Sequence, residues 1–83
     1  MRVQQFYAKN QFIIADSDHG IEFFQSYNSI IVKRVKNGKT YLDERYWNYS
    51  KTTGKYRNLF LGETKKETEK KIASGEYVLV NLN

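Results

Sequence analysis

Hydrophobic and polar positions alternate along the first half of the chain and then change period. Gln11-Phe12-Ile13-Ile14-Ala15 is a β-favouring run closed by Asp16-Ser17-Asp18-His19-Gly20, where Asx side chains and a glycine suit a tight connection. Ile21 to Tyr27 reads as a second strand, and Tyr27-Asn28-Ser29 as a polar turn into Ile30-Ile31-Val32-Lys33-Arg34-Val35. Asn37-Gly38 is the strongest hairpin signal, since both residues tolerate positive φ, so Thr40 to Tyr49 should return antiparallel. Val3 to Tyr7 adds an edge strand to this meander.

After Tyr49 the period becomes helical, with Tyr56, Leu59 and Phe60 at i, i+3 and i+4. Ser50 or Thr52 would cap this helix and Gly62 would end it. Gly54 is a poor helix residue, so a turn at Thr53-Gly54 and a strand over 52–61 stand as the competing expectation. Thr64-Lys65-Lys66-Glu67 fits a capping box for a second helix that Gly75 stops. Glu67 and Lys71 are spaced to pair on its solvent side. Ile72, Ala73 and Thr68 give it only a thin apolar stripe, which puts it at the sheet's margin. Tyr77-Val78-Leu79-Val80-Asn81-Leu82 is apolar on both faces and predicts an inner, buried strand. The expectation is an α+β fold: a mostly antiparallel sheet of four to six strands, with one or two short helices before a final buried strand.

Composition narrows the function. Eighty-three residues without proline or a Ser/Gly-rich linker make a single small domain, and a chain of this size buries only about 60% of its unfolded surface. The chain has no cysteine and one histidine, which excludes disulfides and zinc ribbons and argues against a His-rich metal site. The N-terminus lacks the apolar region of a signal peptide and no run is long enough to span a bilayer, so a soluble intracellular protein is expected, with no membrane partner.

Charge is the most uneven feature. Residues 33 to 57 hold eight cations, Lys33, Arg34, Lys36, Lys39, Arg45, Lys51, Lys55 and Arg57, against Asp43 and Glu44. This window therefore carries +6 of a chain whose net charge is +5. It is interleaved with Tyr41, Tyr46, Trp47, Tyr49 and Tyr56. Cations that track phosphates, beside aromatic faces that stack on bases, are the ingredients of single-strand binding. The candidate nucleic-acid contacts are those eight cations with Tyr41 and Trp47. A two-residue Asn-Gly loop would set Arg34 opposite Tyr41, and Lys33 opposite Leu42, which suggests an Arg34–Tyr41 cation–π contact. The plainer alternatives are tyrosines packed in a core under solubilising lysines, or a surface that docks an acidic partner. Trp47 has a core role as its ordinary alternative, and Ser50, Thr52 and Thr53 read as caps before they read as phosphate ligands.

Other constellations are weaker. Asp16, Asp18 and Glu22 fall in Asp-x-Asp-x-Gly-x-Glu, which looks superficially like the opening of a calcium loop, but the flanks are β-favouring and the remaining ligands are missing. His19 beside these acids has no partner at fixed spacing. No metal, cofactor or catalytic residue is expected.

Tyr46-Trp47-Asn48-Tyr49-Ser50-Lys51-Thr52-Thr53-Gly54-Lys55-Tyr56, followed by Phe60-Leu61-Gly62, resembles a family of small phage and prophage proteins of unknown function from Gram-positive bacteria. Phe24-Gln25-Ser26-Tyr27-Asn28-Ser29 resembles the family's strand-turn entry, so the likeness spans roughly residues 21 to 62. Many members have histidine where this chain has Tyr56, and no catalytic residue carries over. The resemblance implies an accessory phage product in the bacterial cytoplasm, working on nucleic acid or on a host protein. The expected function is non-catalytic nucleic-acid binding. The alternatives are a module that inhibits or redirects a host factor, in the manner of anti-CRISPR proteins, and a self-assembling protein that forms at least a homodimer.

Overall fold

A computed structural model describes residues 1–83. Six strands and two helices run in the order β1 (Arg2–Phe6), β2 (Ala8–Asp16), β3 (Ile21–Ser26), β4 (Ser29–Val35), β5 (Thr40–Asp43), α1 (Lys51–Leu61), α2 (Lys65–Ser74) and β6 (Tyr77–Val80). The strands form one sheet in sequence order; β1 to β5 are an antiparallel meander, and β6 joins β5 in parallel after the helical crossover. This is the α+β architecture the patterning predicts, with β1 at the expected edge.

Both helices lie on one face of the sheet. Phe60 of α1 stacks on Phe24 of β3 at 5.7 Å between ring centroids, and Phe6 meets both rings edge-on. With Ile31, Val32, Leu42 and Tyr77 these residues make the core. Adjacent Ile31 and Val32 are both buried because the β3–β4 register shifts at Phe24/Gln25, and a bulge turns two successive side chains inward.

The helix ends follow their cap residues. Ser50 Oγ accepts the Thr53 N–H at 3.1 Å, Thr64 and Glu67 form the reciprocal capping box, and Gly62 and Gly75 close the helices in the left-handed region. Residues 51–61 are thus helical, and Gly54 sits inside the helix. Its inward stripe is Thr53, Arg57 and Phe60, at i, i+4 and i+7. Leu59 faces outward at 46% exposure, which corrects the expected Tyr56-Leu59-Phe60 stripe.

Four further expectations are corrected. The β4–β5 hairpin has a three-residue loop, Lys36-Asn37-Gly38, because the Lys36 N–H donates to the Gly20 carbonyl at 2.8 Å and so belongs to the turn region shared with β2–β3. Lys33 therefore pairs with Tyr41, and Arg34 with Thr40. The returning strand stops at Asp43, not Tyr49. The Asp43 carboxylate accepts the N–H groups of Arg45 and Tyr46 and turns the chain. Lys71 pairs with Glu63 at 2.7 Å, since Glu67 is held in the capping box. Finally, β6 is an edge strand; only Tyr77 is buried, and Leu79 is 38% exposed. Leu79 lies on the same, helix-facing side as Tyr77, while Val78 and Val80, both half-buried, lie on the side where no element packs.

Candidate nucleic-acid interface

The eight cations of residues 33–57 do not share one face. Arg34 points to the helix layer, where Nη2 donates to Glu22 at 2.6 Å, Nη1 donates to the Phe60 carbonyl at 3.3 Å and the guanidinium lies 4.3 Å from the Phe60 ring. Its cation–π partner is therefore Phe60, not Tyr41. Arg57 is 1% exposed; it donates to the Trp47 carbonyl and to Asn58 Oδ1, and lies 5.2 Å from the Trp47 ring. Burial lowers its affinity for its proton, and no carboxylate lies within ion-pair distance. Arg34 joins the sheet to α1, and Arg57 joins α1 to the turn after β5. Trp47 packs against the core under Arg57 and is not free to stack on a base.

Lys33 and Tyr41 sit together on the opposite face of the sheet, with Nζ 5.9 Å from the ring. Lys36 is exposed at the hairpin tip, Lys39 donates to the Gly75 carbonyl at the end of α2, and Arg45 is exposed in the turn after β5. Lys36 and Lys39 thus share the hairpin tip, Lys33 lies on the open sheet face and Arg45 in the turn after β5.

Lys51 and Lys55 do come together. They project one turn apart from α1 into a groove of about 910 Å³ that Lys65 closes from the start of α2, with Asn48, Asn58 and Leu59 on its walls. None of the three lysines is in an ion pair. The one acid on the wall, Glu63, is engaged elsewhere: Lys71, Thr68 and Tyr77 all donate to it. Burial opposes its ionisation, but those three donors hold its pKa below the ordinary carboxylate value. Gly54 forms part of the floor, directly above the buried Arg57 guanidinium; a Cβ there would meet Nη1 and Nη2 at 3.7 to 3.8 Å. The groove thus has three ammonium groups outside any ion pair, that of Lys55 lying 5.4 Å from the Tyr56 ring, over a buried, unpaired positive charge.

Ser50 borders this groove and also a second hollow lined by Tyr27 and Tyr49. These tyrosines are 52% and 71% exposed, and Tyr49 is braced edge-on by Tyr46 at 5.6 Å. Tyr27 holds a left-handed backbone, φ 55°, in the β3–β4 turn, which turns its ring outward. Sequence reasoning missed Tyr27, Tyr49 and Lys65 as site residues. The signal for Tyr27 was its place in a two-residue polar turn. Lys65 lay outside the window but directly after a cap.

The calcium-like spacing does not converge. Asp16 Oδ2 bonds His19 Nδ1 at 2.8 Å, an interaction that holds the Asp16 carboxyl below its usual range, while Glu22 faces the helix layer and Arg34. Ser50 and Thr53 serve as cap and as a sheet contact, with Ser26 Oγ and Thr53 Oγ1 sharing a hydrogen bond of 3.0 Å. No helix is long and apolar enough to cross a membrane.

No curated protein and no solved structure matches the chain. A family model described as "Family of unknown function (DUF8033)" matches residues 1–76, nearly its whole length, and the chain belongs to that family.

Proposed function

We propose that this chain is a non-catalytic nucleic-acid-binding accessory protein that holds a single strand along α1. Lys51, Lys55 and Lys65 take the phosphates, and Tyr49 and Tyr27 offer rings for base stacking. The observation that carries this reading is the juxtaposition of three unpaired lysines in one groove with two exposed tyrosines across Ser50. Cationic tracks with aromatic platforms suit single strands, whose bases are free to stack. Lys36, Lys39 and Arg45 lie off this track and would add long-range attraction only. A setting in the bacterial cytoplasm as a phage or prophage product belongs to the same proposal and rests on the sequence resemblance.

Fluorescence anisotropy with labelled single-stranded DNA, single-stranded RNA and duplex DNA, each at several salt concentrations, tests it. Three phosphate contacts give a slope of log K against log salt of about −2 for a single strand. Single strands should bind more tightly than duplex. Absence of binding to all three at low salt would overturn the proposal.

A further inference from the structure

The sheet face opposite the helices carries a row that crosses all six strands. Val3 pairs with Ile14, Ile14 with Phe23, Phe23 with Lys33, Lys33 with Tyr41 and Tyr41 with Val78. Directly opposed residues project to the same side, so these six side chains form one line. None belongs to the core cluster or to the side chains packed against it, and the helices' contacts reach Phe24, Ser26, Arg34 and Tyr77 on the other face. Val3 is 63% exposed. Phe12, Ile21 and Val35 extend the apolar surface on either side of the row.

Six strands at ~4.8 Å spacing make this face ~24 Å wide, and three rows of side chains make it ~20 Å long, which is roughly 500 Å². The face mixes these apolar side chains with Gln5, Asp16 and Gln25, and two such faces together bury about 1,000 Å², the lower bound for a specific interface.

We infer that this face is the interface of a two-fold dimer, sheet against sheet, with the axis parallel to the strands between β3 and β4. The row itself supplies the argument for a second copy. Read backwards it complements itself: Val3 meets the partner's Val78, Ile14 meets the partner's Tyr41, and Phe23 meets the partner's Lys33. The single charge of the row lies over an aromatic ring and not against its own copy, and Lys33 already lies near the Tyr41 ring within its own chain. An axis centred on β4 would instead press Lys33 against Lys33.

This dimer is independent of nucleic-acid binding, and salt separates the two. Each copy carries +5, so screening tightens the dimer while it weakens phosphate binding. Sedimentation velocity from micromolar to near-millimolar protein should show a reversible monomer–dimer equilibrium that shifts toward dimer in high salt. Phe23→Lys, which sets two ammonium groups together, should abolish the dimer with an unchanged circular dichroism spectrum, whereas Phe23→Glu, which faces the partner's Lys33, should retain it. The chain has no cysteine, so an Ile14→Cys/Tyr41→Cys double variant tests the register directly. These positions are three strands apart within one chain, ~14 Å, so a short bismaleimide joins them only across the interface. Cross-linked dimer is the expected product. A monomer at every concentration and salt, a dimer that survives Phe23→Lys, or no cross-link in the double variant would each overturn the inference.

Discussion

Glu63→Gln removes one charge from a site built entirely of donors. The Glu63 side chain is 4% exposed and accepts from Lys71 at 2.7 Å, Tyr77 at 2.8 Å and Thr68 at 2.6 Å. It joins the end of α1 to α2 and to β6. Glutamine keeps the shape, and its amide nitrogen can donate to the Thr68 hydroxyl, whose proton turns to the Thr64 carbonyl at 3.1 Å, but the ion pair with Lys71 and the charge that strengthens the remaining bonds are lost. A hydrogen bond to a charged group is worth about 1.5–3 kcal/mol, so the substitution should cost about 3 kcal/mol at pH 7, out of a total of roughly 4–12 kcal/mol for a domain of this size. The cost should depend on pH in one direction. The pKa of Glu63 is lowered in the folded state, so its contribution is present in full above the unfolded carboxylate value near 4.5 and is lost as pH falls through the folded value. Below that, wild type carries a neutral Glu63 and closely resembles the variant. Urea denaturation followed by Trp47 fluorescence and far-ultraviolet circular dichroism at pH 7, 5, 4 and 3 reads both quantities. An equal difference at pH 7 and pH 3, or a difference under about 0.5 kcal/mol at pH 7, would refute the assignment of these donors to an ionised Glu63.

Gly54→Ala should stabilise the protein by up to about 1 kcal/mol, because a Cβ there meets only ordinary contacts, while it narrows the floor of the groove; thermal unfolding and the anisotropy assay read the two effects separately. Lys51→Glu/Lys55→Glu should leave stability nearly unchanged and flatten the salt slope by about 1.4, at ~0.7 per phosphate contact on a single strand, whereas Lys36→Glu/Lys39→Glu should leave that slope in place. Asp43→Ala orphans three N–H groups, those of Arg45, Tyr46 and Leu82, and should cost about 3 kcal/mol by urea denaturation. Asn83→Ala removes two bonds to the Ile30 backbone and should raise amide exchange at Ile30 more than at core residues such as Phe24.

Local signals in the sequence carried the architecture further than they carried the site. Caps are chemically specific, so Thr64, Glu67 and Gly75 bounded α2 to the residue and Gly62 marked the end of α1, whereas its start lay open between Ser50 and Thr52 and a strand over 52–61 competed with it because of Gly54. Asn37-Gly38 marked the hairpin, but its loop length depends on Lys36 bonding to Gly20, a contact between two turns that no window around the loop contains. The apolar run 77–82 described a strand with two apolar faces and could not say whether anything covers the second. The basic window misled for a related reason: proximity in sequence does not put charges on one surface. Arg34 and Arg57 were withdrawn by tertiary partners, Glu22 and the Phe60 carbonyl for one, Trp47 and Asn58 for the other. Lys65 joined the groove from outside the window, because the short turn through Gly62 and Glu63 brings the first residue of α2 to the end of α1.

Amide chemical-shift mapping is the sharpest test of the proposal that a single strand lies along α1. On titration of ¹⁵N-labelled protein with a short single-stranded oligonucleotide at low salt, shifts should concentrate at Asn48 to Asn58, Leu59 and Lys65, with Tyr27 and Tyr49 at one end. Shifts concentrated on the Lys33–Tyr41 hairpin, or none above those produced by added salt alone, would contradict it.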